Sequence, residues 1–299
     1  MDRLETRELE YFLAVAEELH FGRAAERLVI AQPALSKAIR QLEHRLGVRL
    51  LERSSRRVSL TPAGEVLFKE GRQALDMVLA AARHAQQAGK PDARLRLVVK
   101  PGGDGGLLPD ILACYEQEPD APAVEVLFGG VADRANLLRD GRADVALLHT
   151  PHENIDRLES RTLTVEQRVA VLPHWHRLAQ RASLRSVDLQ GETLPRWHGL
   201  AADGATGPEV TDLTQLAQLV ALGRTIAVLP RSFAESLGPD LVRVPVLDAV
   251  PSTLVVAWPP TAPSRHVEAF VRIATTVAAH RHHMPQPPAD VPPAYPCDL

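Results

Sequence analysis

Seven side chains near the N-terminus could grip a polyanion or read base edges: Gln32, Ser36, Lys37, Arg40, Arg53, Arg56 and Arg57. A glutamine amide can pair bidentately with adenine, and arginine suits both phosphates and narrow minor grooves. Charge is concentrated around them. Residues 20 to 60 hold nine Lys or Arg against three acids, a net of +6, while the 299-residue chain carries −3. Phosphate neutralisation is the main source of nonspecific nucleic-acid affinity. A basic face can also be merely solvated, but here it coincides with a helix, turn, helix and wing pattern.

Other chemistries find less support. His174-Trp175-His176 and His280-Arg281-His282-His283 are rich in metal-ligand types, yet no cysteine or acid cluster stands at supporting spacing. No Gly-x-Ser-x-Gly elbow or Walker phosphate loop occurs, and the glycine run at 102–106 lacks the GxGxxG spacing. The expectation is a non-enzyme with no metal and no cofactor. Cys114 and Cys297 read as reduced thiols, as in a cytosol. No signal peptide or spanning apolar run is present, so the expected location is cytoplasmic, bacterial in type and nucleoid-associated.

Positioning those side chains requires short helices. Leu9, Phe12, Leu13 and Ala16 recur at helical spacing, which predicts a helix over 7–19. A second starts at Gly22, with Ala24, Ala25 and Leu28 on one face and Val29 and Ile30 covering the turn. Gln32-Pro33-Ala34 opens a third, because proline suits a first helical turn. Its buried stripe is Leu35, Ile39, Leu42 and Leu46, leaving Gln32, Ser36, Lys37 and Arg40 on other faces, and Gly47 stops it. Val48 to Leu51 and Val58 to Leu60 read as strands of a β-wing whose basic tip holds Arg53, Arg56 and Arg57. This arrangement puts one helix in a DNA major groove and the wing against a neighbouring groove.

Residues 62 to 89 read as one long helix. Leu67, Gly71, Ala74, Val78, Ala81 and Ala85 alternate at spacings of four and three, a thin seam for a partner helix. A helix packing within its own chain is the alternative. From residue 94 strands and helices alternate. Strands are expected at 94–100, 124–128, 144–148, 168–172, 193–197, 225–229, 241–246 and 253–258, with helices at 107–117, 133–139, 213–222 and 267–279. Such alternation implies a parallel sheet with right-handed crossovers. Residues 281–299 hold six prolines and are expected to be disordered.

Phe12, Ala24-Ala25, Leu28, the run Gln32 to Ser36, Ile39, Leu42-Glu43, Leu46-Gly47, Leu50-Leu51, Arg53 and Leu60 to Gly64 together resemble the head of a LysR-type transcriptional regulator. Val220 to Gly223 with Ile226 to Pro230 resemble the family's effector-binding half more moderately. The resemblance implies an α/β multidomain protein: an N-terminal winged helix-turn-helix, a long linker helix, and a two-lobed effector domain like a periplasmic-binding protein. The expected boundaries are 1–61 for the head and 62–90 for the linker. Lobe I is 91–164 with 262–281, lobe II is 165–261, and the tail is 282–299. The resemblance also implies that Gln32, Pro33 and Ser36 read the major groove, with Lys37 and Arg40 near phosphates or base edges. Gln32, Ser36 and Arg53 are the foremost candidates, although Ser36 could equally cap or bridge the fold. Implied partners are inverted-repeat promoter DNA, a second copy through the linker helix, a tetramer built from dimers, and RNA polymerase. The implied ligand is an unknown small-molecule effector.

Ligands of open parallel sheets sit beyond the carboxyl ends of strands. Three such ends are Gly102-Gly103-Asp104, Gly129-Gly130 and His149-Thr150. Many relatives place a hydroxyl near the first, whereas this chain has glycines and Asp104. That substitution points to a neutral or cationic effector, or to an anion held by lobe II through His198 and Arg224. Asp104 could equally be a plain helix cap. Trp197 could stack on a planar ligand or belong to the core. The alternatives to an effector-responsive regulator are a constitutive DNA-binding regulator with a vestigial cleft, a solute-binding module and, least supported, a metalloenzyme using the histidine pairs.

Overall fold

The computed structural model describes residues 4–53, 58–90, 94–130, 133–198, 204–260 and 264–283, with Ala88, His282 and His283 described by backbone only. It divides into two units, Met1–Gln87 and Ala88–Leu299.

The first unit contains α1 (Thr6–Glu18), α2 (Phe21–Arg27), α3 (Gln32–Leu46), β1 (Leu51–Arg53), β2 (Val58–Leu60) and most of α4 (Pro62–Ala88). Helix α2 starts one residue before the expected Gly22 because the His20 ring caps it, accepting the amide N–H of Gly22 and of Arg23 at 3.1 and 3.2 Å. Pro33 lies in the first turn of α3, and Gly47 ends that helix at φ +68°, where a side chain is strained. Phe12, Ala24, Leu35, Ile39 and Leu42 are fully buried and form one core with Leu50 and Leu51. Leu46, expected in that stripe, is 39% exposed, because α3 runs past the core at its last turn. The wing strands pair antiparallel, with Leu51 opposite Leu60.

Helix α4 splits its expected seam. Leu67, Phe68 and Leu75 pack on the head core, and a Cβ on Gly71 would stand 2.4 Å from Leu9 Cδ1. Gly64 lies tighter still, since a Cβ there would meet the Leu50 carbonyl oxygen at 2.0 Å. Leu67 and Gly71 are therefore used within the chain. Ala74, Val78, Ala81 and Ala85 are exposed.

The second unit has two sheets with separate cores. The larger combines β3 (Leu95–Val99), β4 (Val124–Phe128), β5 (Val145–Thr150), β6 (Glu159–Glu166) and, much later in the chain, β12 (Ser252–Trp258). Strand order is β4-β3-β5-β12-β6. Helices α5 (Leu108–Tyr115) and α9 (Arg265–His283) cover one face around Phe270, Tyr115 and Leu97, while α6 (Arg134–Arg139) covers the other. The smaller sheet has order β10-β7-β11, from β7 (Arg168–Pro173), β10 (Ala227–Pro230) and β11 (Leu241–Pro245). Helix α7 (Leu213–Ala221) packs there on Val171 and Leu229, and α8 (Arg231–Glu235) follows β10 directly.

Three expectations need correction. In the large sheet β4, β3 and β5 pair in parallel, whereas β12 runs antiparallel to both its neighbours, β5 and β6, and the small sheet is antiparallel throughout. The reason is connectivity. The chain leaves lobe I at Glu166 and returns at Ser252, which is that residue's partner in the ladder, so the returning strand runs backwards. Strand β12 accordingly belongs to lobe I, not to the range 165–261 assigned to lobe II. The strand expected at 193–197 shrinks to β8 (Arg196–Trp197), paired in parallel with β9 (Glu209–Val210). The proline-rich tail from residue 284 lies outside the described residues.

Candidate nucleic-acid interface and inter-lobe site

In the first unit, Gln32, Pro33, Lys37 and Arg40 are exposed on α3, with Ser36 half-buried among them. Buried Leu35, Ile39 and Leu42 hold the opposite side, so core packing alone turns the polar face to solvent. Arg53, expected at the basic wing, is held from several sides. Its guanidinium lies 4.6 Å over the Phe21 ring, pairs with Glu43 at 3.2 Å and reaches Ser36 Oγ at 3.4 Å. The same Glu43 carboxylate accepts the amide N–H of Leu50 and Leu51 at 2.9 and 3.1 Å. Glu43 thus ties the wing strand to α3, and Arg53 presents its remaining donors beside Ser36. Sequence reasoning missed Glu43 because a glutamate on a helix face reads as solvated. Arg56 and Arg57 lie outside the described residues.

In the second unit, the first two strand-end loops contribute backbone more than side chains. Gly102, at φ +67°, leaves room beside Ser236 and Leu213, and a Cβ on Gly103 would meet the Phe233 ring at 2.7 Å. Lobe II therefore closes directly on this glycine pair, which explains why larger residues are absent there. The Asp104 carboxylate accepts the Leu108 amide N–H at 3.1 Å and so caps the start of α5. Arg281 of α9 donates to the carbonyls of Gly105 and Gly106. Gly130 is exposed, and its carbonyl accepts the Asp133 amide at 3.2 Å.

The third strand end is richer. His149 is 4% exposed and its ring lies 4.7 Å from that of Phe233 across the lobes. Neither ring nitrogen has a hydrogen-bond partner among the described residues. Burial, then the nearby Arg134 and Lys100 cations, push its pKa down to about 3, so the ring is neutral at pH 7. Thr150 is half-buried at the end of β5 and pairs with Thr253 of β12. Beneath the ring, Arg134 and Glu153 form a fully buried ion pair at 2.6 Å, and Glu153 also accepts the His149 amide at 2.7 Å. Burial pushes the Glu153 carboxyl upward, against the pull of Arg134. Arg168 at the lobe junction contacts His152.

Lys100, not singled out from the sequence, stands at the centre. Its ammonium lies 4.2 Å from the Trp197 ring centroid and 5.0 Å from that of Phe233. Burial, then Arg134, lower its pKa to about 8. Trp197 thus faces lobe I rather than serving only its own core. A lysine one residue past a strand carries no sequence signal of burial, because the aromatic rings that cover it come from residues about 100 and 130 positions later.

Two lobe II candidates do not join this group. Arg224 is exposed and follows α7, and the adjoining Gly223 packs against Trp175, which lies beyond the Pro173 end of β7. The inter-lobe residues lie at the opposite, Arg168 end, where Pro230 pairs and Phe233 follows. The direction of β10 therefore places Arg224 away from the site. His198 is exposed, and its Nδ1 pairs with Glu209 at 2.6 Å. His176 of the other pair contacts Glu192 at 3.2 Å. Among the described residues, no helix is long and apolar enough to cross a membrane.

Comparison with known proteins bears on both units. Residues 6–65 match the model of bacterial regulatory helix-turn-helix proteins of the lysR family, and residues 88–279 match the LysR substrate binding domain. The Hca operon transcriptional activator HcaR of Escherichia coli (strain K12) is 31% identical over 274 residues, covering 85% of this chain and 92% of the relative. BenM of Acinetobacter baylyi is 30% identical over 264 residues, covering 82% and 86%. A crystal structure of full-length BenM matches with TM-score 0.54 at 26% identity, over 95% of this chain and all of that one.

Proposed function

Since the chain belongs to the LysR family of transcriptional regulators, with a DNA-binding head and an effector-binding domain, we propose specific roles for its two sites. Helix α3 enters the major groove, with Gln32, Pro33 and Ser36 toward base edges and Lys37 and Arg40 toward phosphates. Arg53 supports the wing against that helix and offers its free donors to the backbone, and Arg56 and Arg57 extend the contact. The observation that carries this reading is the exposed Gln32, Lys37 and Arg40 strip opposite the Leu35, Ile39 and Leu42 core.

The open Ala74, Val78, Ala81 and Ala85 face of α4 is the part of the linker available to a second copy. Two heads carried on such a dimer read an inverted repeat, with half-sites a whole number of helical turns apart. The effector sits between the lobes, among Gly102, Gly103, Lys100, His149, Thr150, Trp197 and Phe233. An effector controls DNA binding only if it binds two assembly states with different affinity. The domain limits follow with β12 moved to lobe I, and the cell compartment is the cytoplasm.

The test is a footprint on the intergenic DNA beside the protein's own gene, with and without metabolite mixtures. A dyad footprint that weakens steeply with salt supports the head assignment, and a ligand-dependent change in it supports the effector role. A second reading, a constitutive regulator with a vestigial cleft, is favoured by one observation: Lys100 and Phe233 already occupy the space over Gly103. A footprint indifferent to every metabolite would establish that reading instead.

A further inference from the structure

We infer that Arg53 is a positioning residue for base reading: it orients the Ser36 hydroxyl, so that this serine donates its proton into the groove and selects a hydrogen-bond acceptor on the nearest base edge. This rests on the base-facing role given above to Ser36 and supplies its direction and the class of base it favours.

The placement of Arg53 begins in the backbone. Glu43 on α3 accepts the Leu50 and Leu51 amides, so the chain enters β1 at a fixed point beside that helix. Arg53 is the last residue of β1. Its guanidinium is then held in three directions. The Phe21 ring lies beneath it, Glu43 holds Nη2, and Nη1 donates to Ser36 Oγ at 3.4 Å. A planar fork fixed by its face and by one nitrogen keeps the direction of the other.

Ser36 has one proton and two lone pairs to place. Arg53 fills one lone pair. A helical hydroxyl commonly gives its proton to the backbone carbonyl one turn back. Thr275 and Thr276 on α9 do so, donating to the carbonyls of Val271 and Arg272 at 2.8 and 2.9 Å. Ser36 does not. Among the described residues, the bond from Arg53 is the one that Ser36 Oγ makes. Its proton is kept for a partner outside the chain, on the helix face shared with exposed Gln32, Lys37 and Arg40.

Charge decides which partner suits it. Arg53 lies against the hydroxyl oxygen, and Arg40 and Arg49 act on Arg53 as further cations. The Glu43 carboxylate is bound to the other guanidinium nitrogen and to two amides. The field at the hydroxyl is therefore positive and favours acceptors. In the major groove guanine presents N7 and O6 and thymine presents O4, all acceptors, whereas cytosine presents an amino donor. Adenine has one group of each kind and stands between. Ser36 held in this way favours guanine or thymine and rejects cytosine.

The experiment uses the full-length protein and a random-sequence duplex library, with bound DNA recovered and sequenced at two salt concentrations. Ser36→Ala, a change that helix propensity favours, identifies the base pair read by Ser36 as the one whose preference disappears. The expected wild-type preference there is about fivefold, the size of one hydrogen bond. Base analogues placed in the selected site show which group is read. Deazaguanine for guanine, or thiothymine for thymine, weakens the acceptor and should cost wild type about fivefold and Ser36→Ala nothing. Arg53→Met should lose the same preference while also weakening binding to every sequence. Arg53→Lys keeps the stem and the charge without the planar fork, so it should retain most of the overall affinity and still lose that preference. Ser36→Ala combined with Arg53→Lys should lose no more at that base pair than either change alone.

A merely structural Arg53 would lower affinity evenly across the library and leave the preference in place. Retention of the preference by Arg53→Lys overturns the proposal. So does sensitivity to removal of an amino donor, tested with deoxyzebularine for cytosine, in place of sensitivity to the acceptor analogues. Failure of the wider reading looks different. Salt-sensitive binding in which Ser36→Ala alters no base preference removes Ser36 from the base edges, and this proposal with it. A base pair that depends on Ser36 but not on Arg53 leaves Ser36 a reader and removes only its orientation by Arg53.

Discussion

The head and the inter-lobe site both gather cations, but they treat them in opposite ways. On α3, Lys37 and Arg40 are exposed. Between the lobes, Arg134 is 1% exposed and the Lys100 ammonium is enclosed by rings. A polyanion offers many phosphates, and exposed cations meet it additively and pay for it in salt sensitivity. A single small ligand offers one charge, so the cation that meets it must be desolvated beforehand for that charge to count. Interface breadth in one region is matched by burial in the other.

Breaking the buried pair should have the largest effect. Arg134→Ala leaves Glu153 charged or protonated without its partner and should cost about 3–5 kcal/mol in denaturant unfolding of the second unit. The double change Arg134→Met with Glu153→Leu should recover most of that loss, which would assign the cost to the stranded charge. In the head, the corresponding sensitive point is steric. Gly64→Ala should cost roughly 1–3 kcal/mol and weaken DNA binding, because its Cβ would collide with the Leu50 carbonyl that anchors the wing.

Exposed charges should behave differently. Lys37→Ala and Arg40→Ala should each lower the slope of log affinity against log salt by about 0.9 while leaving unfolding within about 0.5 kcal/mol of wild type. Arg53→Ala should break that rule by losing stability as well, since its guanidinium holds Phe21 and Glu43. If Arg53 behaves like Lys37, the clip between wing and helix has no energetic role.

The buried site should also leave a trace in pH. Burial lowers the His149 pKa to about 3 from the ordinary 6.5, so the unfolded chain binds more protons between those values. Stability from this group is complete above pH 6.5 and is lost as pH falls toward 3. His149→Gln should flatten that limb in urea melts taken at intervals of pH. Lys100 acts in the same direction in a higher window, because its lowered pKa makes stability rise with pH between 8 and 10.5. The smallest effect is expected from Arg224→Ala, which should leave ligand response unchanged, since that side chain is exposed beyond the far end of lobe II.

The head was legible from its sequence because its signals are local. Proline in a first turn, a glycine stop and a stripe at helical spacing each act within a few residues, and α3 begins at the expected Gln32. Its errors are local too: Leu46 falls off the core edge, and a histidine cap is an unusual choice for the start of α2. The inter-lobe site was only half legible. The strand ends at 102–104 and 149–150 could be located from alternation, but what faces them depends on long-range closure. Lys100 meets Trp197 and Phe233, and Gly103 meets Phe233, across sequence distances that no periodicity spans. Strand β6 was missed because most of its residues are exposed or half-exposed, so ESRTLTVE lacks the continuous apolar run that marks a buried strand.

The position of β12 bears on the order in which this chain can be completed. It lies between β5 and β6, yet about 85 residues separate it from the end of β6. During synthesis from the N-terminus, β5 and β6 emerge with a gap between them, and the whole of lobe II must be made before the strand that fills it. Lobe II can close early around its own three strands, while lobe I waits open at its centre. A ribosome stalled before Ser252 would therefore hold a finished second lobe on an unfinished first, with the inner edges of β5 and β6 bare to any strand that could pair with them.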